Sequence, residues 1–128
     1  ALLVSFAVRN GMLWHERRSI EFERTLAQVV AAVPDDGLPV VGPNDYWFGF
    51  QERRFVPASF HGNPARLGLR SFYAIESGLQ PGVIGRVLRP VAGRSDRREL
   101  ARVPESDRTT VKVSRFDPKP VPPAAPPP

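Results

Sequence analysis

The chain has 128 residues, with 18 basic against 13 acidic side chains and no cysteine. That length allows one domain and excludes a two-domain enzyme, a full dinucleotide-binding dehydrogenase or a TIM barrel. The missing cysteine excludes disulfides, a thiolate nucleophile and cysteine-ligated metal.

Residues 1–8, ALLVSFAV, are almost all apolar. Two readings compete: a buried strand with Val4, Phe6 and Val8 on one face, or the last turns of a transmembrane helix. Arg9, Asn10 and Trp14 favour the second, because Arg and Trp gather at the membrane boundary. The stretch has neither a basic leader nor a small-residue cleavage site, so it does not read as a signal peptide. Residues 1–14 are therefore expected to be a helix end and an interfacial segment, residues 15–116 one α/β domain, and residues 117–128 a disordered proline-rich tail.

Residues 16–33 carry the clearest helix. Phe22, Leu26, Val29, Val30 and Val33 form one stripe of a 3.6-residue period, and Pro34-Asp35-Asp36-Gly37 stops it. Leu38-Pro39-Val40-Val41 has the length of a buried strand, with Pro39 restricting it to a strand start or an edge. Asn44 or Asp45 is expected to cap a short aromatic helix over 46–50. Phe55–Phe60 reads as a second, proline-interrupted strand, and His61-Gly62-Asn63-Pro64 as a loop. Residues 69–79 fit a helix on Leu69, Phe72, Tyr73, Ile75 and Leu79. Residues 83–88 alternate weakly as a strand. Residues 90–107 read as an Arg-rich loop with one short helix at 96–102. Thr109–Phe116 alternates as a strand with Val111 and Val113 on one face. Helices alternating with short strands point to a small layered α/β domain, with a short sheet of about four strands and two to three helices.

The positive charge is uneven. Residues 1–60 hold six basic and seven acidic side chains, residues 61–116 eleven and five, and sixteen of the eighteen basic residues are Arg. An Arg-rich patch suits nucleic acid, a phospholipid surface or an acidic protein, although a GC-rich genome gives the same bias. The tail from Asp117 holds seven of the fifteen prolines and favours extended polyproline conformations.

Catalysis needs converging groups, and few are signalled. His15 and His61 lie in no metal-ligand or Cys-linked spacing, no GxSxG surrounds a serine, and no glycine cluster makes a phosphate loop. Asp35 and Asp36 adjoin Gly37 in a turn, where aspartate satisfies backbone. The candidate binding residues are Tyr46 and Trp47, which would stack on a sugar or base, Arg53 and Arg54, which would hold a phosphate, and the loop residue His61. The competing reading of Tyr46 and Trp47 is core, because a domain this small needs their area. No catalytic residue, metal or cofactor is expected.

The block VPDDGLPVVGPNDYWFGFQERRFVPASF, residues 33–60, resembles the short extramembrane domain that follows the last transmembrane helix in some bacterial polytopic C-type glycosyltransferases. These enzymes use lipid-linked sugars and include relatives of the dolichyl-phosphate-mannose protein mannosyltransferases. The matching features are Ala1–Val8, Phe22–Val33, Pro34, Val40-Val41-Gly42, Tyr46-Trp47 and Phe55-Val56, with Val111–Phe116 as the closing strand. The resemblance implies catalysis in membrane-proximal loops outside this chain, and a position on the periplasmic or extracellular side. Arg9, Arg17 and Arg18 beside the apolar segment would instead favour the cytoplasmic side.

The leading expectation is thus a non-catalytic domain that supports acceptor access in a membrane-bound sugar transferase. Its partners would be the rest of a membrane protein or complex and the membrane surface. The alternative is a structural subunit of a large assembly, binding RNA or an acidic protein through its Arg-rich surface and proline tail.

Overall fold

The computed structural model describes residues 21–58, 67–80 and 82–120. It is a five-stranded mixed sheet covered on both faces by helices. Ala1–Val8, and with them the expected membrane-helix end, lie outside the described residues, as does the 121–128 part of the tail.

Helix α1 occupies residues 21–32 among the described residues. Its expected stripe is the one it buries: Val29 and Val33 are in the core, with Phe22, Leu26 and Val30 packed against it. The Pro34–Gly37 turn ends it. Gly37 takes a positive φ of 82° there, and Asp36 Oδ1 accepts the Leu38 N–H at 3.2 Å, the self-capping that makes aspartate a turn residue.

Strand β1 is Val40–Gly42. A 3-10 helix, Asn44–Gly49, follows and returns the chain to β2, Phe55–Pro57. Neither Asn44 nor Asp45 is the cap. Pro43 holds that position with no side-chain hydrogen bond, because its fixed φ already suits the entry to a helix. β3 is Phe72–Ser77, α2 is Val83–Ala92, and β4 (Ser95–Pro104) and β5 (Thr110–Pro118) form a hairpin. The sheet order is β2-β1-β3-β5-β4. β1 runs parallel to β2 and β3; β5 runs antiparallel to β3 and β4. Pro39 precedes β1 and its carbonyl accepts from the Tyr73 N–H, while Pro57 ends the edge strand β2. Both prolines thus avoid an interior ladder donor.

The α/β class and the layering are as the sequence implies, with five strands rather than four. Three assignments change. Residues 72–77 are the central strand, not a helix, because that strand is buried on both faces and its apolar residues run consecutively. Residues 83–92 are a helix, not a strand: Ile84, Leu88 and Val91 are its buried stripe. Residues 95–104 are a strand, not a loop with a short helix at 96–102. As the outermost strand it exposes most of its length, and charge along an edge blocks pairing with another chain.

Alternation divides the core. On one face, α1 and the 3-10 helix cover Val40, Tyr73, Ile75, Val111 and Val113. On the other, α2 covers Val41, Phe72, Ala74 and Phe116. No helix of the described residues is long and apolar enough to cross a membrane.

Candidate functional site

The sheet has two ends of different character. At the end where β3 starts and β5 finishes, polar side chains converge. The Tyr73 hydroxyl donates to Asp36 Oδ2 at 2.5 Å, and Arg115 Nη1 approaches the Tyr73 oxygen at 3.5 Å and Asp36 Oδ2 at 3.8 Å. Arg115 Nε reaches Asp117 Oδ2 at 3.0 Å, and Ser71 Oγ donates to Asp117 Oδ1 at 2.8 Å. Register explains the meeting: Tyr73 and Arg115 are direct cross-strand partners, and Asp36 arrives in the turn after α1.

Burial, then the hydrogen bond to Asp36, pushes the Tyr73 phenol upward, so it stays protonated and is a poor base. The Tyr73 hydroxyl first, with Arg115 adding to it, holds the Asp36 carboxyl below its usual range. Arg115 and then Ser71 do the same for Asp117. The Tyr73 and Ser71 hydroxyls and the Arg115 Nε and Nη1 atoms are directed to partners inside the cluster. It ties the α1 turn to two strands and offers no group poised for proton transfer at neutral pH.

This cluster sets an acid limit. A carboxylate with a depressed folded value stabilises the fold above its unfolded value, 3.8 for aspartate, and loses that contribution as pH falls through the folded value. Thermal stability should therefore drop on acidification below about pH 4. Asp117→Asn should flatten that drop in a Tm-against-pH series.

On the α2 face, a groove of about 290 Å³ is floored by Leu88 and Phe116 and flanked by Glu76, Arg89 and Arg97. Arg97 Nη2 lies 2.6 Å from Glu76 Oε1, and its guanidinium sits 5.6 Å from the Phe116 ring centroid. That approach is an ion pair by distance but lies outside hydrogen-bonding angles, and the buried Ser114 hydroxyl has no partner among the described residues. With Arg97 paired to Glu76, the remaining cation lining the groove among the described residues is Arg89.

The other end of the sheet is where β1 and β3 finish and the β4–β5 turn lies. A second groove of about 420 Å³ there is bounded by Glu21, Arg24 and Gln28 of α1 and by Glu105 and Asp107 of the turn, so the first described turn of α1 lies at this end. Leu79, 58% exposed, follows β3, and the half-exposed Val83 opens α2. The 3-10 helix starts here too, and Gln80 Nε2 is 3.4 Å from Asp45. Its Trp47 and Phe48 are 47% and 65% exposed and pack edge to face at 5.3 Å. Among the described residues, no cluster of His, Cys, Asp or Glu is arranged to hold a metal ion.

The sequence-based candidates do not converge. Tyr46 is buried, its ring edge-on to Phe22 at 5.5 Å, and burial together with the charges of Glu105 and Asp45 pushes its phenol far up. Trp47 is its exposed neighbour. Arg53 closes the end of α1: Nη1 donates to the carbonyls of Val33 at 3.1 Å and Pro34 at 3.3 Å, and the guanidinium lies over Phe50 at 5.4 Å. These carbonyls immediately follow the last residue of α1, so Arg53 anchors the chain where it leaves the helix. Arg54 is exposed, and its backbone carbonyl accepts from Val40. His61 lies outside the described residues. Tyr73, Arg115 and Asp117 were not among the candidates. One signal existed: Arg115 falls in the same alternation as Val111 and Val113, a charge on a buried face.

A scan against protein-family models found no match, and neither a search of curated proteins nor one of solved structures returned a similar protein.

Proposed function

We propose that this chain is a non-catalytic extramembrane domain of a membrane protein, by its resemblance a lipid-linked-sugar glycosyltransferase, in which it shapes acceptor access. The observation that carries the reading is the internal closure of the polar cluster. Asp36, Tyr73, Arg115, Asp117 and Ser71 bind one another and fasten secondary structure, which suits a rigid support. The apolar segment 1–8, flanked by Arg9 and Trp14, supplies the membrane attachment, and the resemblance assigns the domain to the outer side.

The Arg-rich alternative has less support. Of the arginines between 86 and 115, Arg97, Arg102 and Arg115 are engaged by Glu76, Glu99 and Asp117, which leaves fewer for phosphates or an acidic protein. Steep loss of RNA binding with salt would be that alternative's signature.

The test uses the full chain and two variants. The chain should co-float with lipid vesicles, and Val4→Asp combined with Phe6→Asp should release it to the soluble fraction. A chain that stays soluble without those changes, or a 9–120 fragment that catalyses sugar transfer or hydrolysis alone, overturns the reading.

A further inference from the structure

We infer that the groove between α2 and the sheet face of β3, β5 and β4 is a binding site for a small amphipathic carboxylate. Its apolar body would lie along Leu88 and Phe116, and its anionic group would meet Arg89 and Arg97. The inference is independent of the membrane attachment proposed above.

The groove owes its room to two small residues. Gly85 and Ala92 line it from α2, two helical turns apart, with Leu88 and Arg89 between them. A Cβ built on Gly85 meets nothing within 4 Å. The helix therefore presents a low wall, and about 290 Å³ stays open between it and Glu76, Arg97 and Phe116. Small-molecule sites begin at roughly that size, about 300 Å³, and combine an apolar lining with a few polar groups. The volume takes one ring system or a short branched chain and is too small for a helix or strand of a partner protein.

The sheet side of the groove is polar and unsatisfied. Ser114 pairs with Ala74 across β5 and β3, and Glu76 and Phe116 each lie two residues further along these strands, so all share the face that α2 covers. Among the described residues, the buried side-chain atoms without a hydrogen-bond partner are Glu76 Oε1 and Ser114 Oγ, both on this face. Folded chains pair nearly all such atoms, and the Tyr73 cluster does. Arg97 is held by its ion pair with Glu76 and by the Phe116 ring. A guanidinium carries five N–H donors, so most of those on Arg97 remain for a ligand.

Charge selects the ligand. Arg89 and Arg97 against Glu76 leave the groove lining with one excess positive charge, which suits a monoanion. The planar guanidinium fork matches a carboxylate. A cation would face two arginines, and an uncharged ligand would leave their donors unmatched.

The probe is 2-naphthoate, with 2-naphthamide as an uncharged counterpart of the same shape, titrated into the isotope-labelled full chain and followed by amide chemical shifts. The expected result is saturable shifts at Gly85, Leu88, Ala92 and Arg97 with a Kd of about 1 mM or tighter. The amide should bind about tenfold more weakly, because it forfeits the charge-assisted hydrogen bonds. Arg89→Gln, at an exposed side chain, should weaken naphthoate by about fivefold or more and leave naphthamide unchanged. Gly85→Leu fills the open space and should abolish binding of both. No saturable shift up to about 10 mM, equal affinity for the two probes, shifts centred on other residues, or binding that survives a folded Gly85→Leu chain overturns the site. Should Gly85→Leu fail to fold, Arg89→Gln decides: unchanged naphthoate affinity there overturns it equally. Shifts at these residues that need no probe and grow with protein concentration assign the groove to a second copy of the chain and also overturn the inference.

Discussion

Replacing Phe116 with alanine should lower the unfolding free energy by about 3–5 kcal/mol. Its ring is buried and lies parallel to that of Phe72, centroids 5.1 Å apart and planes 1° apart, and the two residues are direct partners across β3 and β5. The truncation opens a cavity beneath Leu88 and also loses the ring–ring contribution, about 0.5–1.5 kcal/mol for an aromatic pair. Domains of this size hold only about 5–15 kcal/mol in total, so the variant surrenders a large share. Urea titration reads it as a lower midpoint with an unchanged slope. Phe116→Leu keeps most of the volume and should lose much less. A loss below about 1 kcal/mol for the alanine variant would mean that α2 does not close over this face.

How far the sequence discloses such packing depends on the element. α1 is legible because its stripe recurs over three turns and a proline, two aspartates and a glycine stop it. β3 is not, because burial on both faces removes the alternation that separates a strand from a helix. FYAIES satisfies either period. β4 fails for the opposite reason. It lies at the rim, its Arg97, Arg98, Glu99 and Arg102 face water, and a bulge between Glu99 and Ala101 breaks its register. α2 is obscured by two residues that disfavour helices, Gly85 and Pro90, and its stripe is complete only with Val91. The hydrogen-bonded cluster is less legible still. Tyr73 and Asp36 lie 37 residues apart, and only the register of β3 against β5 brings Arg115 to both.

The two ends of the sheet also bear differently on function. The Tyr73 end is satisfied by its own contacts and gives rigidity. The 3-10 helix that starts from the opposite end leaves Trp47 and Phe48 exposed.

The position of Trp47 and Phe48 in turn depends on a glycine, and a paired substitution tests that. A Cβ on Gly49 would lie 2.6 Å from Val30 Cγ2 and 2.8 Å from Leu26 Cδ1, closer than packed carbons tolerate, so the 3-10 helix sits on α1 only because residue 49 has no side chain. Gly49→Ala should therefore cost about 1–3 kcal/mol by overpacking, and Gly49→Val more, while shifting the emission of the neighbouring Trp47. The same chemical change at Gly85 has the opposite sign. Nothing lies within 4 Å of a Cβ built there, and glycine inside a helix is about 0.5–1 kcal/mol worse than alanine, so Gly85→Ala should stabilise by that amount. Chemical denaturation of the two alanine variants side by side separates steric contact from backbone propensity. Two losses would mean that the α2 residues are not helical in solution. Two gains would mean that the 3-10 helix stands away from α1, and the exposed Trp47–Phe48 pair would then have no fixed place on the domain.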